Sequence, residues 1–163
     1  MPAGRCRMAS GAGRRAHLTE GAMGKRPAYR EIEHTADVGF VLTAPDLPVA
    51  LERAAAAMFD LVSDVERVGD SFERRVVVRG TDLENLLVRW LTELLFIAES
   101  ERVLLSRFTV RRLEGFELEA DVAGEPLDRA KHEVRVEIKA ATYHDIMIEE
   151  TRSGWAVRVV FDT

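Results

Sequence analysis

Cysteine is nearly missing: the 163-residue chain has one, Cys6, and it lies in the N-terminal segment. A lone thiol excludes an internal disulfide, and its position leaves the rest of the chain without a cysteine metal knuckle or a catalytic thiol. A reducing, cytoplasmic setting is therefore expected. No apolar run is long enough to span a bilayer, so no membrane association is expected. Phosphate-cradling GxxxxGK, HExxH, GxSxG and a calcium loop with carboxylates at every second position are all absent. Any chemistry must be assembled from residues that folding brings together. No internal repeat is visible.

What is present is the composition of a folded domain. Hydrophobic residues make up 47% and charged residues 31% of the chain, which is too apolar for a disordered polymer. The length suits one domain. A net charge of −5 hides a split: residues 1–28 carry +5, leaving −10 on residues 29–163. An acidic body repels nucleic-acid phosphates and favours cations or a basic partner surface, although a local basic patch remains compatible with it. Residues 1–28 are rich in Gly, Ala and Arg and lack the apolar block of a secretory signal. They read as a disordered basic tail or as a start assigned too far upstream, with Met23 as the alternative. The "GAGRRA" within them imitates a dinucleotide fingerprint, but no strand precedes it.

From Tyr29 the pattern becomes regular. Residues 29–44, "YREIEHTADVGFVLTA", read as two short strands interrupted around Thr35 to Asp37. A helix is expected from about residue 46, with Asp46 as cap, Pro48 in the first turn, and Leu47, Leu51, Ala54, Met58, Leu61 and Val62 on one face. Residues 72–79 read as a strand. A second helix follows, with Thr81 as N-cap and Glu84 closing a capping box, and with a leucine-rich stripe around Trp90 that reads as core. The remainder reads as strands: a hairpin turning near Glu114 and Gly115, then segments beginning at His132, Tyr143 and Gly154. This order predicts an α+β fold: a largely antiparallel sheet with two main helices packed on it.

Four polar clusters interrupt these elements. In "HTADVG", Asp37 offers a hard oxygen ligand, Thr35 a hydroxyl and His34 a ligand or proton carrier, while Gly39 permits close backbone approach; the same residues also make an ordinary turn. In "VVFDT", Asp162 points away from the face of Trp155, Val157, Val159 and Phe161, beside the α-carboxylate of Thr163. Two such anions together call for solvent or a cation, and a frayed end is the plain alternative. "EIKAATYHD" carries Lys139, Thr142, Tyr143, His144 and Asp145. "GEPLDRAKH" carries Glu125, Asp128 and His132 and otherwise reads as a polar turn.

Taken in order, "EHTADVG", "NLLVRWLTELLF", "GEPLDRAKH", "EIKAATYH" and the terminal "RVVFD" resemble the archease family over residues 29–163. The resemblance implies a protein cofactor of an RtcB-type RNA ligase in tRNA splicing and RNA repair. Such a protein promotes ligase guanylylation and multiple turnover and is not itself an enzyme. It further implies a divalent-cation site held by acidic residues, Asp37 and Asp162 by position, with Lys139 beside them; hard-oxygen chemistry adds Thr163 and suits calcium or else magnesium or manganese, and His34 and His144 are expected to support function. RNA contact would be indirect. "ATYH" stands where many members have "VTYH". Two other readings of the residues stand beside this one: a small metal-dependent phosphohydrolase using His34, Asp37 and Asp162, and a chaperone-like interaction module.

Overall fold

The computed structural model describes residues 25–33 and 37–163. Two strands, β1 (Arg30–Glu33) and β2 (Asp37–Ala44), lead into helix α1 (Leu47–Val62). Strand β3 (Phe72–Arg79) and helix α2 (Leu83–Glu101) come next, then β4 (Val103–Glu114) and β5 (Glu117–Pro126). Three short strands close the chain: β6 (Ala140–Ala141), β7 (Met147–Thr151) and β8 (Gly154–Asp162). All pairings are antiparallel, and they build two sheets, one ordered β3-β5-β4 and one with β8 between β2 on one side and β6 and β7 on the other. The domain is α+β, as its patterning implies.

Helix α1 starts where the sequence says. The Asp46 carboxylate accepts from the Val49 N–H at 3.0 Å, which satisfies a donor that has no partner within the helix. Its burial exceeds the single expected stripe: Val49 to Leu51 and Ala54 to Leu61 are all buried. The reason is position. The helix packs against β2 and β8 of one sheet and β4 of the other, so small side chains, Ala54 to Ala57, let structure approach from several sides. Helix α2 is capped one residue later than expected. Asp82 accepts from the Asn85 N–H at 2.8 Å, and the Asn85 side chain accepts from the Thr81 N–H at 3.0 Å. Asp82 takes the cap because a carboxylate there serves as well as a hydroxyl, and the return bond from Asn85 reaches Thr81, the residue before the cap. Trp90 is fully buried and donates its indole N–H to the Leu51 carbonyl at 2.9 Å, a packing role.

The expected strand from His132 forms only at Ala140 and Ala141. Alternation persists before it, with His132 and Ile138 buried and Val134 and Val136 half-buried. But Ala140 already pairs with Asp162, the last residue of β8, so earlier residues run past the end of their neighbour. They are fastened by isolated bonds instead: Arg135 N–H to the Val62 carbonyl and Lys139 N–H to the Asp162 carbonyl, each 2.8 Å.

The body also begins before the Tyr29 boundary. Arg26 lies 3.0 Å from the Asp60 carboxylate, which is almost fully buried, and Tyr29 donates its hydroxyl to the same group at 2.8 Å. Lys25 reaches the Val68 carbonyl and Asp70. Residues 25–29 thus form a strap over the C-terminal end of α1. Burial, then the Asp60 bond, pushes the Tyr29 phenol well above its usual range. The remaining tail, with Cys6, lies outside the described residues.

Candidate functional site

The register of β2 against β8 sets Asp37 directly opposite Asp162. Directly opposed residues of an antiparallel pair hold their Cβ atoms about 4.5–5.5 Å apart. Residues 125 positions apart in the chain therefore become neighbours. The same ladder explains which way they point. Phe40, Leu42, Val157, Val159 and Phe161 are buried on the helix side, so period two turns Asp37 and Asp162 to the other face. Asp37 is half-buried and Asp162 exposed.

Gly39 has the role its position suggests. A Cβ there would lie 2.3 Å from the Val159 carbonyl oxygen, so only glycine lets β2 lie this close to β8 beside the two carboxylates. On the far side of β8, Asp162 pairs with Ala140 and receives the Lys139 N–H, which brings Lys139 to the same strand end with its side chain exposed. Thr142 completes the fastening, donating its hydroxyl to the Val160 carbonyl at 2.8 Å.

His144 sits apart from the carboxylates in its contacts. Residues 143–146 make a four-residue excursion between β6 and β7, closed by the Ile146 N–H on the Tyr143 carbonyl. The His144 imidazole is exposed and 3.4 Å from Asp145, which has a left-handed φ of 53° and also lies 3.8 Å from Arg158. Tyr143 accepts from the Asn85 side chain at 2.7 Å, tying the excursion to α2. His34 lies outside the described residues. Arg158, which the sequence reading passed over, shares the outward face of β8 with Asp162. Its Nε is buried without a hydrogen-bond partner. The signal for it was plain alternation from Asp162.

Among the described residues no group of three or more His, Cys, Asp or Glu side chains converges as a metal cluster. What the strand end offers is a smaller set: two opposed carboxylates, with Thr163 next to Asp162. Neither carboxylate has a side-chain hydrogen bond or ion pair within the described residues. Like charges directly opposite destabilise a ladder. A divalent cation would relieve that repulsion, and hard oxygens suit calcium, magnesium or manganese, with water or a partner filling the remaining positions. The donor set fits such an ion.

"GEPLDRAKH" folds into a separate knot. His132 accepts the Asp128 N–H at Nδ1, 3.0 Å away, which makes Nε2 the protonated nitrogen facing Glu125 at 2.7 Å. Lys131 lies 2.6 Å from the same carboxylate. The Lys131 ammonium, the Gly69 N–H and then His132 hold Glu125 down to about 2.

Comparison with known proteins bears on this geometry. Residues 29–163 match the model of the Archease protein family. The "Protein archease" of Methanosarcina mazei is 38% identical over 138 residues, covering 82% of this chain and 94% of that protein. That of Pyrococcus abyssi is 40% identical over 138 residues, covering 82% of this chain and 97% of its own. In fold, the solution structure of Methanobacterium thermoautotrophicum protein 1598 superimposes with a TM-score of 0.73 at 36% identity, covering 85% of this chain and 99% of that one. The crystal structure of an archease from Thermotoga maritima shares the fold at a TM-score of 0.55 and 23% identity, covering 84% of this chain and 98% of that one.

Proposed function

Since this chain belongs to the archease family, we propose that it is an accessory protein that activates an RtcB-type RNA ligase and does so through the strand end where Asp37 faces Asp162. The observation that carries this reading is that register: Asp37 and Asp162, distant in sequence, stand opposite each other at one strand end, where the Lys139 backbone is also bonded. An ion bound there would supply a positive centre with open coordination positions for a phosphate or carboxylate of the partner. Asp37 and Asp162 hold the ion. Gly39 keeps their strands in contact, and Lys139 presents a protonated ammonium that binds anions but never a metal. The ligase itself performs the chemistry; this chain promotes its guanylylation and repeated turnover.

The test is reconstitution with an RtcB-type ligase at limiting enzyme, reading ligase guanylylation and calcium or manganese binding side by side. Asp37→Ala and Asp162→Ala should lose both cation affinity and activation. Lys139→Ala should lose activation while keeping most cation affinity. Full activation by all three folded variants overturns the reading. Partner-free phosphoester hydrolysis that vanishes in the aspartate variants would replace it with a metal-dependent hydrolase.

A further inference from the structure

An acidic body is a poor place for a phosphate, yet one cleft gathers the opposite charge. Below the C-terminal end of α1, a cavity of about 200 Å³ is lined by Arg26, Arg67, Lys131 and Arg135 against Asp64 and Glu133. Two of these cations are already committed, Arg26 to Asp60 and Asp64 and Lys131 to Glu125. The other two form no ion pair among the described residues. The Arg67 backbone N–H bonds to the Asp64 carbonyl at 3.1 Å, but its exposed guanidinium has no ion pair or hydrogen bond within the described residues. The Arg135 guanidinium donates one N–H to the Asp60 carbonyl at 3.0 Å and meets no carboxylate among the described residues. Glu133, on the same lining, pairs with neither.

The carbonyl end of a helix accounts for some of this positive charge, since cations are favoured there. It does not account for all of it. The helix end and its two acids are already served by Arg26 and by the Arg135 backbone and side chain. Arg67 is surplus to that arrangement. Guanidinium groups present planar pairs of N–H donors that match the oxygens of a phosphate, and they are less strongly hydrated than ammonium, so they bind such groups at modest cost in desolvation.

We infer that this cleft is a phosphate-binding site, with Arg67 and Arg135 as the recognising pair and a phosphate ester, of a nucleotide or of RNA, as its ligand class. The site is separate from the Asp37–Asp162 edge but lies at the same end of the molecule. Arg135 is bonded to Val62 at the cleft and Lys139 to Asp162 at the edge, both by 2.8 Å backbone bonds. Four residues of chain span at most about 14 Å. A phosphate in the cleft and a cation at the edge would therefore be within reach of one extended ligand. Binding in the cleft does not depend on that cation.

The experiment titrates the full chain, in the presence of a chelator, with inorganic pyrophosphate, a nucleoside triphosphate and a short single-stranded RNA. It follows backbone amides of Ser63, Asp64, Arg67, Glu133 and Arg135 by nitrogen-15 NMR. Saturable shifts at these residues are expected. Arg67→Glu, at an exposed position, should weaken binding by at least about tenfold without changing the melting temperature. Arg79→Glu, on the outer face of the other sheet, should leave affinity unchanged. Tighter binding of RNA than of pyrophosphate assigns a polynucleotide phosphate; equal binding assigns a free or nucleotide phosphate. Absence of saturable shifts at millimolar ligand overturns the inference, as does equal weakening by Arg67→Glu and Arg79→Glu, which would mean diffuse attraction only.

Discussion

Single residues carry much of the load here, and Asp60 and Glu125 show how differently two acids can do so. Asp60 sits between buried Phe59 and Leu61 and accepts from Arg26, Tyr29 and the Val65 N–H. Asp60→Ala would leave a buried amide and a half-buried phenol without that partner. A loss of about 3 kcal/mol is expected from urea unfolding, since each buried unsatisfied group costs about 1–3 kcal/mol. Glu125 matters through pH. Its carboxyl ionises near 2 in the fold and in the ordinary range when unfolded, so its contribution is complete above about 4.5 and fades as pH falls toward 2. Unfolding free energy measured across that window should fall less steeply in Glu125→Gln, because glutamine has no proton to gain. Asp60 follows the alanine-rich run of the first helix in plain sequence. Its partners were not legible there, because they come from the strap and the turn after the helix.

At the scale of elements, the contact between β2 and β8 decides whether the candidate site exists. Gly39→Ala places a methyl 2.3 Å from the Val159 carbonyl, so the strands must part where Asp37 and Asp162 face each other. A loss of about 1–3 kcal/mol is expected, with weakened cation binding read by calorimetry on the still-folded variant. The strap over α1 is the second such element. A chain beginning at Lys25 should melt like the full one, whereas a chain beginning at Tyr29 lacks the Arg26 bonds to Asp60 and Asp64 and should melt lower. Equal melting of the two would remove the strap from any stabilising role. Although the second helix is capped one residue later than its sequence suggests, the start of the first helix and the β4–β5 turn at Gly115 with its φ of 56° were legible, since caps and turns are local signals. The strand expected from His132 was not: its alternation was genuine, but a ladder also needs a neighbour, and β8 ends at Asp162.

For the whole molecule, the two sheets and the helix they bury set what the site can report. A cation that binds only the folded state stabilises it by mass action. At ten times its dissociation constant the melting temperature should rise by about 5 °C, and Asp162→Asn should abolish that rise. No helix among the described residues is long and apolar enough to cross a membrane, and the outer face of the β3-β5-β4 sheet is a lattice of ion pairs such as Arg75 with Glu119 and Asp121. By itself the sequence determined the α+β class, the positions of both helices, the family resemblance and the residue types that a cation site would use, because each of these is written in local pattern or motif order. Only the tertiary structure decided that α1 is buried nearly all round, that Lys25 and Arg26 belong to the body, that His144 turns to Asp145, and that Asp37 meets Asp162 while Arg67 and Arg135 meet in a cleft. Those outcomes depend on register and packing between segments far apart in the chain, and alternation fixes which face a residue takes but not which strand will lie beside it.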